Sequence, residues 1–173
     1  MKSYLITATP SFMQLKKHRP AFALYRDKET SEYSFHAQNF IQICKTIPNL
    51  KAFLHQDYKL AQRLNASGVH LTSLQFDTIV LAKELGLEVI ISCHSEEDVK
   101  KAEELGADYV TYSPIFSTPN KGKPKGVEDL KNLVNATSLK VFALGGIISP
   151  EHVNAVQKSG AYGFASIRYF SPS

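Results

Sequence analysis

Along the second half of the chain one unit recurs: an amphipathic stretch closes on a glycine and a short apolar run follows at once. Four copies stand at residues 65–71, 85–92, 105–112 and 159–167. Glycine suits the left-handed residue that ends a helix, so Gly68, Gly86, Gly106 and Gly160 are expected to close helices. The β-branched and aromatic runs behind them are expected to be strands buried on both faces.

Helical periodicity fills the intervals. Phe40, Ile43, Cys44 and Ile47 line one face, Leu60, Ala61 and Leu64 a second, Val99, Ala102 and Leu105 a third, and Val153 with Val156 a fourth. Ser95 followed by Asp98 reads as a capping box, and Ser149-Pro150 as a cap with an N1 proline. The candidate strands are 4–7, 22–25, 51–54, 69–71, 89–92, 109–112, 141–144 and 164–167. Eight strands alternating with helices predict a single (β/α)8 barrel over residues 1–173, and no Gly-rich turn after the first strand supports a doubly wound sheet instead.

Such barrels run near about 250 residues, so this one must be compressed. Residues 8–21 leave little room for a first helix, and only residues 168–173 follow the last strand. The first and eighth helices are therefore expected to be reduced or missing. A second subunit would cover the apolar edge this leaves, which makes a homodimer the expectation.

In a barrel, chemistry belongs at the carboxyl ends of the strands. Arg26 and Lys28 follow the second strand, His55 the third, His70 to Ser73 the fourth, and Ser92 and His94 the fifth. Gly145, Gly146 and Ile147 follow the seventh, where barrels commonly bind phosphate together with the amides of Ser166 and Ile167 after the eighth. After the sixth strand comes a loop with Ser117 and Thr118 as hydroxyl donors, Lys121, Lys123 and Lys125 as cations, and Pro114, Pro119 and Pro124 stiffening the path. Gly122 and Gly126 are expected to let its backbone approach a ligand. This is how an anion site is built, although a solvated basic loop has the same composition. Arg26 and Lys28 can equally be rim salt-bridge partners, His94 a hydrogen-bonded structural residue, and His70, inside an apolar run, reads as core.

A formal net charge of +4, spread along the chain, favours small anionic ligands over nucleic acid. Cys44 and Cys93 lack metal-ligand spacing and sit among apolar neighbours, as buried thiols do in a reducing cytosol. With no apolar stretch long enough to cross a bilayer, a soluble cytoplasmic protein is expected.

The residues 5–7, 26–28, 68–71, 92–95, 107–110, 114–121, 145–147 and 165–167 resemble, in order and spacing, the thiamine-phosphate synthase and thiazole tautomerase superfamily. The resemblance covers nearly the whole chain. It implies a (β/α)8 barrel that joins a hydroxymethylpyrimidine pyrophosphate to a thiazole phosphate with release of pyrophosphate. By match, Arg26, Lys28 and Lys121 hold the pyrophosphate with Ser92 assisting, while Thr118, Gly145, Gly146, Ser166 and Ile167 hold the thiazole phosphate.

The same resemblance implies Mg²⁺, yet both matching carboxylates are absent. His55-Gln56 stands where the synthases carry Asn-Asp, and Gln75 lies near where they carry a further acid. Asp57 and Asp77 are close in sequence and are the candidate substitutes. Leu24 replaces an expected Gln. Residues 121–127 resemble the tautomerase branch, but Pro114 occupies the position of its proton-transferring histidine, so His55 or His94 would have to move the proton. Three readings stand: the synthase, a metal-independent thiazole tautomerase, and a non-catalytic phosphate-ester binding or regulatory protein.

Overall fold

The computed structural model describes residues 1–171. Eight parallel strands close into a barrel in sequence order: β1 (Lys2–Thr7), β2 (Phe22–Tyr25), β3 (Lys51–His55), β4 (Gly68–Leu71), β5 (Glu88–Cys93), β6 (Tyr109–Tyr112), β7 (Lys140–Leu144) and β8 (Gly163–Ser166). The last pairs back onto the first, with Tyr4 opposite Ala165 and Leu5 opposite Ser166. Helices α1 (Phe12–His18), α2 (Tyr33–Lys45), α3 (Tyr58–Arg63), α4 (Ile79–Glu84), α5 (Glu96–Leu105), α6 (Gly126–Ala136) and α7 (Pro150–Lys158) connect them. The first helix has only seven residues, as its short span led one to expect, and after β8 the described residues form the 3₁₀ turn Arg168–Phe170.

Within the barrel, alternate residues fill the interior with rings. Tyr4, Phe22, Phe53, Tyr109 and Phe142 pack with Leu24, Ile6, Ile90 and Ala165, Phe22 meeting Phe142 at a centroid distance of 5.0 Å. So many aromatics fit a narrow interior only because neighbouring strands give way. A methyl at Gly68 would lie 2.0 Å from Glu88 O and 2.7 Å from Phe53, and one at Gly163 would lie 2.6 Å from Phe142. Gly68 therefore does not close a helix as expected. It is the first residue of β4, and Asn65 takes the left-handed turn instead, with φ 57°. Gly86, Gly106 and Gly160 do take positive φ.

Outside the strands a second apolar layer seats the helices. On α2 the buried face is Ala37, Phe40, Ile41 and Cys44, one step round from the face expected, with Ile43 only partly buried and Ile47 beyond the helix. Caps follow the sequence: Ser95 Oγ accepts from Asp98 N at 3.1 Å and Ser149 Oγ from His152 N at 3.3 Å. At the amino end of the barrel Lys51 pairs with Glu88 at 2.8 Å, and the Tyr109 hydroxyl donates to the same carboxylate. A groove opens between α1 and the 3₁₀ turn, with Met13, Ile167 and Phe170 among its lining beside Gln14, Lys17 and His18.

Candidate active site

Positioning at the carboxyl end begins with Tyr33, at the start of α2. Its hydroxyl donates to Tyr25 O at 2.8 Å and accepts from His55 N at 2.9 Å, tying together the exits of β2 and β3. Arg26 N continues the ladder to Thr7 O at 2.9 Å, which sets the half-buried guanidinium over the barrel mouth. Asp27 then turns the chain by accepting from Glu29 N and Thr30 N, leaving Lys28 exposed on the rim.

Opposite them, the loop after β6 is pinned to the exit of β7. Ile115 N donates to Leu144 O at 3.0 Å and Phe116 N to Gly145 O at 2.9 Å. Such close crossing requires the two glycines: a methyl on Gly145 would meet Pro114 at 2.7 Å, and one on Gly146 would meet Ser117 O at 2.5 Å. Both also hold positive φ, 106° and 70°. Within the loop, the Thr118 hydroxyl donates to Phe116 O and Lys121 N to Thr118 O. Of its three lysines only Lys121 reaches the mouth, while Lys125 lies over the Tyr112 ring at 5.0 Å. Gly122 and Gly126 both face open space, with no other part of the protein against them.

These elements enclose a cavity of about 320 Å³. Arg26, Lys28, His55, Ser92, Thr118, Lys121, Gly145 and Ile167 line it, over a floor of Ile6, Leu24 and Leu144. Gly146 and Ser166 do not reach its surface. Ser166 is buried, and its hydroxyl is already committed, donating to Ile147 O at 2.8 Å and accepting from Tyr169 N at 3.1 Å. His94 lies on the rim with Nδ1 3.1 Å from Ser113 O.

Two histidines differ from their sequence reading. Burial, reinforced by Arg26 and Lys28, pushes His55 down to about 4, so it is neutral at pH 7 rather than poised for acid/base work there. His70 is buried as expected of a core residue, yet it also lines the cavity and bonds Ser92 Oγ through Nε2 at 3.0 Å. Position alone hid this role. The period-2 alternation that turns Phe53 and His55 inward on β3 also turns His70 inward on β4, and that was the available signal.

Residues 11–170 match the family described as thiamine monophosphate synthase. The chain belongs to this family. Thiamine-phosphate synthase of Clostridium acetobutylicum is 32% identical over 148 residues, covering 82% of this chain and 69% of the relative. That of Synechocystis is 33% identical over 151 residues, covering 83% and 43%. A synthase-like protein of Aquifex aeolicus is 37% identical over 121 residues, covering 68% and 64%. This chain thus spans less than two thirds of the Aquifex and Synechocystis relatives. In fold it is similar to thiamine phosphate pyrophosphorylase from Pyrococcus furiosus, with a TM-score of 0.83, 26% identity, and 96% of this chain and 85% of that one covered.

Measured against a thiamine monophosphate synthase that uses Mg²⁺, the donor set here does not fit. Mg²⁺ takes hard anionic oxygens, usually from one or two carboxylates, and no carboxylate lines the cavity among the described residues. Asp57 is exposed and serves as the cap of α3, accepting from Leu60 N at 2.9 Å. Asp77 is exposed outside the mouth, its nearest partner the Thr78 hydroxyl. Gln75 has turned its amide onto the backbone, accepting from Thr72 N at 3.0 Å and donating to Gln56 O at 3.4 Å, so it staples two loops together.

Proposed function

We propose that this protein is a thiamine-phosphate synthase-like transferase that joins hydroxymethylpyrimidine pyrophosphate to thiazole phosphate. The observation that carries the reading is the convergence of Arg26, Lys28 and Lys121 on one cavity otherwise lined by hydroxyls, imidazoles and apolar floor. On this reading the three cations hold the pyrophosphate and neutralise the charge that builds on it as the methylene C–O bond breaks. The electron pair leaves with the pyrophosphate oxygen, and the lone pair of the thiazole nitrogen forms the new C–N bond. Ser92 assists at the pyrophosphate. Thr118 and the backbone around Gly145, Gly146, Ser166 and Ile167 receive the thiazole phosphate. No step passes through Mg²⁺, because the residues present do not fit it; the cations supply that charge.

A second reading, a phosphate-ester binding protein without turnover, is favoured by the missing carboxylates and by Leu24 on the cavity floor. Tautomerisation of thiazole phosphate is the third, and would rest on the neutral imidazole of His55. Either way the reading places the protein in the cytoplasm, where the buried thiols Cys44 and Cys93 stay reduced. No helix among the described residues is long and apolar enough to cross a membrane.

The deciding assay supplies both substrates, with Mg²⁺ or with EDTA, and follows thiamine phosphate and pyrophosphate by chromatography. Equimolar products are expected, with turnover falling about 100-fold or more in Arg26→Ala. Both substrates bound with no product would overturn the transferase and leave the binding protein. Isomerisation of thiazole phosphate alone, abolished by His55→Ala, would point to the tautomerase.

A further inference from the structure

Tyr4 is fully buried among the rings of the barrel interior, and its hydroxyl has one hydrogen-bond partner, His70 Nδ1 at 2.7 Å. The other ring nitrogen of His70 lies 3.0 Å from Ser92 Oγ. Ser92 lines the cavity. Two hydrogen bonds therefore run from the centre of β1, through β4, to a hydroxyl at the mouth on β5.

Counting donors gives the chain a direction. A neutral imidazole carries one N–H and one lone pair. Were the proton on Nδ1, it would point at the phenol oxygen and leave the Tyr4 proton buried with no acceptor, while Nε2 would draw the Ser92 proton away from the cavity. With the proton on Nε2, every group is satisfied: Tyr4 donates to Nδ1, Nε2–H donates to Ser92 Oγ, and the Ser92 proton is left for the cavity. Burial, with His55 and Arg26 nearby, keeps His70 neutral, so a third arrangement with both nitrogens protonated does not arise at pH 7.

We infer that Tyr4 and His70 are positioning residues that make Ser92 a hydrogen-bond donor into the cavity, directed at an acceptor-only group such as a phosphate oxygen of the bound ester. This rests on the reading that Ser92 faces the phosphorylated substrate. It gives the buried Tyr4 and His70 a role: together they carry a fixed polarity to Ser92, one of the hydroxyls that line the cavity. The cost of a wrong polarity would fall on the ligand, since an accepting Ser92 would face an oxygen that can only accept.

Nitrogen-15 NMR of the ligand-free protein tests the polarity without any assumption about activity. The two ring nitrogens of His70 are expected to report Nε2–H, with Nδ1 unprotonated, and Tyr4→Phe is expected to release the ring into a mixture of tautomers. Protonated Nδ1 in the wild-type protein would overturn the inference and leave the transferase reading untouched. For the ligand side, inorganic pyrophosphate is titrated calorimetrically into wild type, Tyr4→Phe, Ser92→Ala and the double variant. Tyr4→Phe should weaken binding about three- to ten-fold, and should weaken it no further once Ser92 is alanine. Equal losses in both backgrounds would show that Tyr4 acts by packing alone, and would overturn it.

Discussion

At the scale of single residues, the mouth is organised by which groups keep charge and which lose it. Arg26 and Lys121 reach the cavity with no ion-pair partner among the described residues. The ion pairs among the described residues, Lys51 with Glu88 and Lys83 with Asp108, lie away from the cavity. Lys121→Ala should therefore raise the Kd for pyrophosphate by about ten-fold or more, whereas Lys123→Ala on the same loop should change it by less than about two-fold. His55 and His70 give up their charge, held near 4 and 3 against an ordinary 6.5. Because their folded values are lowered, the unfolded chain takes up protons first as pH falls, so stability declines from about pH 6.5 downward. Urea midpoints at pH 7.5 and 5.0 should show that decline, and His55→Gln should reduce it; an equal decline in the variant would remove His55 as a cause.

Among elements, strand and helix positions were legible wherever period and punctuation agreed. All eight strands fall where the apolar runs lie, within two residues at either end, because each run is buried on both faces and continuous. What periodicity could not resolve was rotation about an element. The buried face of α2 keeps Phe40 and Cys44 but takes in Ile41 rather than Ile43, since tertiary packing sets the rotation of a helix about its axis. Nor could it tell a helix-closing glycine from one that makes room. Gly68 belongs to the second kind, and its cost is testable: Gly68→Ala should destabilise by about 3 kcal/mol or more, against less than about 0.5 kcal/mol for Gly122→Ala in open space. Similar midpoints for the two variants in chemical denaturation would contradict the packing account. Removing the cap with Ser149→Ala should cost about 1 kcal/mol.

For the whole molecule, barrel closure brings residues from the exits of β2 through β8 to one cavity, and this is why the candidate site was readable from the chain at all. Once the barrel was recognised, Arg26, Lys28, His55, Ser92, Thr118 and Lys121 followed from being strand-end residues. The part that was not readable depends on side-chain commitments: Ser166 and Gln75 spend their polar groups on the backbone, and His70 bridges core and mouth. The groove beside α1 bears on the expected homodimer, for which sedimentation equilibrium should give twice the 19.3 kDa chain mass; a monomer at tens of micromolar would remove that expectation.

On the proposed function, protein cations without a metal hold the phosphate group of the ligand. Calorimetric titration of pyrophosphate in EDTA, and again in Mg²⁺, measures it directly with wild type and with the Arg26→Ala, Lys121→Ala double variant. Binding in EDTA that the double variant loses by about 100-fold is the predicted result. Binding that appears only with Mg²⁺, or that survives loss of both cations, would contradict it.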